Sequence, residues 1–458
     1  MAKKNLTVKQ KLGFGIFDMG GNMFFTLMSF WALKYLTDTV GIAAAWAGIA
    51  IMVGKVWDAV TDPMMGFLSD RTLSRWGRRR VYLLFGAIPM LLSMVFFFTS
   101  PSYLPESMHI LWAIIALMLL NTASTVINVP YSSLTPELTD DYHEQSSLNG
   151  YRFGCAVFGT IAGAAAVQPL VQIFARPQSV DPLLDSRGFS MMGLILGAVM
   201  ALVTLLTFLG TKEKKHTKED LPKESFLTTY FSVFKNKPYV ILFLTYALHM
   251  TGISFLTTIL SYYTENVLKR GDITTIAMVI LLVTAMLFIP VSVMVSKKIG
   301  KKLTYQICFA ILSSTCITLF FLGHILPLGF FYGILVYAGI GVGFSYVAPF
   351  AMVPDTIEYG AANLGQRTEG SYYGMWTFIS KTGTALALFI AGLVLQMGGY
   401  ISNAGEGAAQ PTTVNTAIRI IIGPLPAIVL VGAIVMISFY PLNEKTHREL
   451  MKGKEEVQ

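Results

Sequence analysis

Val129-Pro130-Tyr131-Ser132-Ser133-Leu134-Thr135-Pro136-Glu137 has a counterpart 219 residues further on, Ala348-Pro349-Phe350-Ala351-Met352-Val353-Pro354-Asp355. Each string closes a long apolar run. A second echo surrounds it. Gly66-Phe67-Leu68-Ser69-Asp70-Arg71, followed by Gly77-Arg78-Arg79-Arg80, answers Val295-Ser296-Lys297-Lys298-Ile299-Gly300-Lys301-Lys302. Ser69 and Ser296 are 227 residues apart, close to half of the 458-residue chain. Loops repeat along with helices, so the repetition is more than a chance likeness of apolar segments. It implies two duplicated halves in parallel orientation.

Composition says where such halves live. Hydrophobic residues make up 54% of the chain and charged residues 13%, against about a quarter charged in a typical soluble domain. Mean hydropathy is +0.59. These figures exclude a soluble enzyme, a disordered scaffold and a nucleic-acid binder. A membrane span needs about 20 apolar residues. Twelve such runs can be traced, from residues 14–36 to residues 417–440, and the longest polar stretch, 211–237, divides them six and six. The expected fold is all-α and polytopic. Twelve transmembrane helices form two pseudo-symmetric six-helix bundles, as in major-facilitator transporters. The expected divisions are a first bundle over 1–210, a central cytoplasmic loop over 211–237, a second bundle over 238–440 and a cytoplasmic tail over 441–458.

The net charge of +8 follows from topology. With an inner N-terminus, 25 of the 34 basic residues fall on inner segments and 4 on outer loops, namely Arg176, Arg187, Lys269 and Arg270. The positive-inside rule then places both termini in the cytoplasm of a plasma (bacterial inner) membrane. The basic N-terminus leads into an apolar run too long for a signal-peptide core, which reads as an uncleaved span. Cys155, Cys308 and Cys316 lie in apolar stretches without metal-ligand spacing, against both a disulfide framework and a zinc site.

Ionisable groups within spans are costly and point to function. The second span holds Lys55-Val56-Trp57-Asp58-Ala59-Val60-Thr61-Asp62-Pro63. Asp58 and Asp62, four apart, share one helical face. Two adjacent carboxylates in a dry site need a cation between them. Na⁺, H⁺ or a lysine ammonium can supply that charge, and Thr61 offers a further oxygen. Lys381, near the middle of the eleventh span, needs a carboxylate partner. An internal salt-bridge lattice of these groups is the structural alternative. Arg152, opening the fifth span, either forks to ligand oxygens or pairs with an inner acid such as Glu137 or Asp141. Asp18 and Asn22 on the first span can hydrogen-bond a hydroxylated ligand or serve helix contacts. Asn121 and Asn128 share a face of the fourth span. Asn128 can instead cap backbone loosened by Pro130. Tyr131, Tyr372, Tyr373 and Trp376 lie beside the charged positions and are candidate platforms for a sugar ring. His249 and His324 read as structural. No nucleophile–base set or nucleotide-binding loop is present, so an enzyme is not expected, nor any cofactor beyond a coupling ion.

The chain resembles the glycoside–pentoside–hexuronide:cation symporters, the branch that includes the melibiose carrier. The resemblance spans nearly the whole chain. It rests on Trp57-Asp58-Ala59-Val60-Thr61-Asp62-Pro63, Asp70-Arg71 with Gly77–Arg80, Pro130-Tyr131 with Pro136, Tyr151-Arg152-Phe153, Asp355-Thr356-Ile357-Glu358-Tyr359, Arg367-Thr368-Glu369-Gly370 and Lys381. It implies a cation site of Asp58, Asp62, Thr61 and Lys381. The melibiose carrier has asparagine where Thr61 stands, which leaves the ion open between Na⁺ and H⁺. Arg152 matches the carrier's sugar-binding arginine. Asn128, Ser132 and Gly21 or Asn22 stand where it has its sugar-binding acids and tryptophan. The cation machinery is therefore retained without the galactoside-binding acids.

The expected function is cation-coupled symport of a glycoside, pentoside or hexuronide by alternating access. Substrate ligands would come from Arg152, Asn128, Asp18, Asn22, Tyr131, Tyr373 and Trp376. Inner-face gating pairs would come from Asp70, Arg71 and Arg78 with Asp355, Glu358, Arg367 and Glu369. The expected partners are a sugar, a monovalent cation and the bilayer, with the chain monomeric and no nucleic acid bound. The competing readings are a carrier of lysolipid or drug and a transporter-like sensor.

Overall fold

The computed structural model describes residues 6–134, 138, 142–179, 182, 184–212, 233–364, 369–402 and 410–442, with backbone alone at 70, 142, 143, 145, 146, 363, 364 and 369–371. Among these are fifteen α-helices and no strand. The first half has α1 (Val8–Lys34), α2 (Ala44–Arg71), α3 (Arg80–Phe98), α4 (His109–Ser132), α5 (Tyr142–Ala165), α6 (Val167–Phe174) and α7 (Ser186–Gly210). The second has α8 (Lys237–Tyr262), α9 (Thr274–Ile299), α10 (Lys301–Phe321), α11 (Leu328–Ser345), α12 (Ala348–Leu364), α13 (Glu369–Met397), α14 (Thr412–Ile422) and α15 (Pro424–Ser438).

Local chemistry sets several boundaries. Thr7 caps α1 in a box with Gln10, satisfying two first-turn amides. Asp185 accepts from Arg187 and Gly188 to start α7. Gly300 turns the chain from α9 to α10 at φ +88°, a region open to glycine. Ten helices or helix pairs are long and apolar enough to cross a membrane, and an eleventh forms when α5 and α6, bent by 45°, count as one span. Pro169 explains that bend, since its ring crowds the carbonyl four residues back, at Ala165. The remaining expected span, the first, is α1, at 27 residues. It falls outside the apolar set because Gly13, Gly15, Asp18, Gly20, Gly21 and Asn22 dilute its hydropathy. Two expected single spans are also broken helices. The tenth is α11 with α12, and the twelfth is α14 with α15, parted at Gly423-Pro424.

The helices form two compact units. One takes in Met1–Glu224 with Gly399–Gln410, the other Ser225–Gly398 with Pro411–Gln458. In the first, α1 packs on α5 and α7, α2 on α4, and α3 on α4 and α7. In the second, α8 packs on α13 and α15, α9 on α11, and α10 on α11 and α15. Numbered as spans, the second set is the first with six added to every member. The duplication read from the loops is thus present in the packing.

Two details give the register of the repeat. α1 runs on into a single π-helical turn at Tyr35–Thr39, and α8 into one at Tyr263–Val267, 228 residues later. A Cβ on Gly159 of α5 would lie 1.9 Å from the Met19 carbonyl oxygen of α1, and one on Gly383 of α13 would lie 2.7 Å from that of Ala247 on α8. Met19 and Ala247 are again 228 apart, and the two glycines 224. Close backbone approach through small residues is how apolar helices associate without a hydrophobic drive.

The π-turn of α1 carries a buried ion pair, Lys34 Nζ to Asp38 Oδ2 at 2.7 Å. Thr37 and Tyr400 each donate a hydroxyl to Asp38 Oδ1 at 2.7 Å. Ser402 donates to the Ile42 carbonyl, so the segment after α13 is fastened to the first unit. Removing one partner of a buried pair leaves a bare charge and costs about 3–5 kcal/mol. Lys34→Met is therefore expected to lower the thermal unfolding midpoint of purified protein markedly. Adding Asp38→Asn should restore much of the loss, and an unchanged midpoint in the single variant would refute the role given to this pair.

Candidate functional site

Asp58 and Asp62 stand on consecutive turns of α2, and α4 meets them. Thr125 Oγ1 lies 2.7 Å from Asp58 Oδ1 and 2.8 Å from Asp62 Oδ1. The two helices are pinned on either side of this point. Asn121 donates its amide to the Gly54 carbonyl at 3.0 Å, and the Trp57 indole donates to Thr122 Oγ1 at 2.8 Å. Gly54 allows this approach, because a Cβ there would lie 2.9 Å from Leu117 Cβ. Pro63 and Pro130 lie inside these same helices. Each lacks an N–H, so the carbonyls of Ala59 and Val126 lose their helical partners beside the site.

The proton count at this site has a chemical consequence. A threonine hydroxyl carries one proton and donates one hydrogen bond. Three oxygens sit within 2.8 Å contacts of each other through Thr125, which can satisfy only one carboxylate. The other is served by a further donor or a cation, whether a lysine ammonium, a shared proton or Na⁺. Hard oxygens in this arrangement suit Na⁺ or a shared H⁺. Among the described residues, no cluster of three or more His, Cys, Asp or Glu could hold a metal ion.

Thr125 was not among the residues singled out in the sequence. The signal was present, since Asn121, Thr125 and Asn128 fall at helical spacing on one face of α4. Thr61, expected to flank the carboxylates, instead donates to the Asp58 backbone carbonyl at 3.2 Å. A threonine in a helix readily bonds its own preceding turn. Lys55 is half-buried on α2, one turn before Asp58, and Lys381 is half-buried on α13 in the second unit.

A second polar cluster joins α1, α4 and α5. Arg152 meets Asp18 through Nε to Oδ2 at 2.7 Å and Nη2 to Oδ1 at 3.2 Å, a two-pronged pair. Tyr131 donates its hydroxyl to Asp18, and the guanidinium lies 5.0 Å from the Tyr131 ring centroid. Of the two readings of Arg152, the inner-acid pairing named Glu137 and Asp141, which lie outside the described residues. Its partner here is Asp18, which the sequence offered only as a separate ligand candidate. Tyr131 is 2% exposed, its ring held against Phe14 and Phe17, so it contributes a hydroxyl and no open stacking face. Asn22 and Asn128 both turn their amide N–H groups onto their own helices, to the Asp18 carbonyl and to Ser124. Tyr372 is buried, its hydroxyl accepting from Asn236 at 2.8 Å, while Tyr373 is exposed. Trp376 is buried in parallel contact with Tyr246, ring centroids 4.0 Å apart.

The expected gating residues show contacts within their own halves. Arg79 donates to the Ser133 carbonyl and Arg80 to the Phe208 carbonyl at 2.6 Å. These tie the start of α3 to the ends of α4 and α7. Arg71 lies over the Phe67 ring at 3.6 Å. Lys301, at the start of α10, donates to both Asp355 oxygens at 2.8 and 2.7 Å and to the Ala351 carbonyl at 2.9 Å. Asp355, expected to pair across the inner face, thus has a partner on the neighbouring helix of its own unit. Ser133 and Ala351 are 218 residues apart, so one brace occurs twice. Arg78 and Glu358 are half-buried on their helices. The side chains of Asp70 and Glu369, and Arg367 altogether, lie outside the described residues. Arg419, another cation within a span, donates to the Phe320 carbonyl and closes the end of α10.

Duplicated helix bundles with carboxylates buried at a helix–helix contact define a secondary transporter, not an enzyme. The chain belongs to the MFS/sugar transport protein family, whose profile matches residues 13–444. It is similar to the uncharacterized symporter YnaJ of Bacillus subtilis, 31% identical, with 99% of this chain and 96% of that protein covered. It is also similar to a putative sulfoquinovose importer of Salmonella typhimurium, 29% identical, with 96% and 91% covered. Its fold matches the crystal structure of a bacterial homolog to the human lysosomal transporter Spinster, with a TM-score of 0.72 at 14% identity, 97% of each chain being covered. The family read from the motifs is therefore the family found.

Proposed function

We propose that this protein is a cation-coupled sugar symporter of the plasma membrane, importing a glycoside, pentoside or hexuronide by alternating access. The observation that carries the coupling is the convergence of Asp58 and Asp62 on the single hydroxyl of Thr125. Cation or proton binding there adds to the oxygen set and cancels one of the two negative charges. Asp18 and Arg152, partly buried and mutually paired, supply acceptors and donors for sugar hydroxyls. The relatives' descriptions as symporter and importer support the direction and the class. Both termini face the cytoplasm, as the distribution of basic residues favours. Monomeric function fits a chain that carries both halves of the repeat.

Uptake by proteoliposomes across a panel of labelled glycosides, pentosides and uronates tests this reading. At least one sugar should be taken up specifically, in competition with its unlabelled form. Uptake of lysolipid or lipophilic cations with no sugar transported would replace the reading by one of its competitors.

A further inference from the structure

The repeat locates a second cluster, of which the sequence singled out Trp376 alone. With the span-one offset of 228, Asp18 corresponds to Tyr246. With the span-five offset of 224, Arg152 corresponds to Trp376. With the offset of 219 in the Val-Pro-Tyr echo, Tyr131 corresponds to Phe350. The offsets for Tyr246 and Trp376 come from the π-turns and the glycine contacts, which involve none of these residues, while Tyr131 and Phe350 match within the loop strings themselves. The three residues so reached do touch. Tyr246 and Trp376 stack at 4.0 Å with 13° between planes, and Phe350 lies 6.2 Å from each, edge to face. The charged triad of the first half therefore has an aromatic counterpart in the second. Exposure is also inverted. In the first half the ion pair is partly open and Tyr131 is shut in. In the second the stacked pair is shut in, Tyr246 at 6% and Trp376 at 3%, while Phe350 is 49% exposed.

We propose that Phe350, held in place by the Tyr246–Trp376 stack, is a binding surface for the flat apolar face of the transported ligand. An edge-to-face contact fixes the orientation of Phe350, and the buried stack cannot yield to a ligand. The chemistry recognised is a planar apolar patch. Two sources can present one, the C–H face of a pyranose ring and an aryl aglycone. This rests on the sugar-symport reading and extends it to the substrate's shape.

The test uses the full chain purified in detergent, with methyl and phenyl forms of β-xyloside, β-glucoside and α-galactoside as probes and calorimetric Kd values as readout. Phe350→Ala is expected to raise Kd about tenfold, the scale of one aromatic contact. A rise for phenyl glycosides alone identifies the aglycone as occupant. A rise for methyl and phenyl forms alike identifies the sugar ring. Phe350→Tyr should bind like the wild type. Phe350→Leu keeps the bulk and should still lose affinity, which guards against a folding defect in the alanine variant. Unchanged Kd in both Phe350→Ala and Phe350→Leu would overturn this inference alone. If no probe binds the wild-type chain, the inference falls together with the sugar-symport reading.

Discussion

Replacing Asp62 with asparagine is expected to abolish uphill sugar accumulation while leaving the protein folded. The substitution keeps the size of the side chain and removes its charge. Thr125 then has one carboxylate, Asp58, to which its single proton can be given. One of the two carboxylates proposed to bind the coupling cation is gone, and with it the thermodynamic link to an ion gradient. Coupling is a difference in free energy between states, so a site that no longer needs the cation cannot transmit its gradient. Downhill equilibration of sugar should persist at a reduced rate. Thr125→Val tests the same geometry from the other helix, and should weaken cation dependence without touching a charge. Accumulation by Asp62→Asn at wild-type levels would show that the carboxylate pair is a structural lattice.

Arg152→Gln is expected to lose transport by about two orders of magnitude or more and to lower stability. Asp18 is then left partly buried, with Tyr131 the one remaining donor to its carboxylate among the described residues. Breaking such a pair costs about 3–5 kcal/mol, more than replacing both members. The double variant Asp18→Asn with Arg152→Gln should recover much of the unfolding temperature. Transport should stay lost, because the groups proposed to meet sugar hydroxyls are gone. A thermal-shift series read beside an uptake series separates the two effects. Recovery of both stability and uptake in the double variant would make the pair purely structural.

The fold was legible because its signals are repeated and long. Apolar runs, the 6-plus-6 division and the paired loop strings each specify the same topology, and the helix packing repeats as those strings imply. What escaped notice depended on single side chains facing across helices. Thr125 is an ordinary residue for an apolar helix, and only its contact with α2 distinguishes it. Asp18 and Arg152 were both singled out, but 134 residues separate them and nothing in the chain joins them. Lys34 and Asp38 are an i,i+4 pair visible in the sequence, yet Tyr400, which completes the cluster, comes from the far end of the chain. The aromatic counterpart of the charged triad could be found only after the π-turns and glycine contacts had given the offsets. Proline breaks in the fifth and twelfth spans were present in the sequence and hidden by continuous hydropathy.

The central claim is that an ion gradient and a sugar gradient are joined in one protein. Wild-type protein in liposomes, with equal sugar on both sides and an imposed inward Na⁺ or H⁺ gradient, tests it most directly. The expected result is net sugar accumulation with one of the two ions, collapsing on addition of the matching ionophore. Sugar that stays at equal concentration under both gradients, while still exchanging across the membrane, would contradict it.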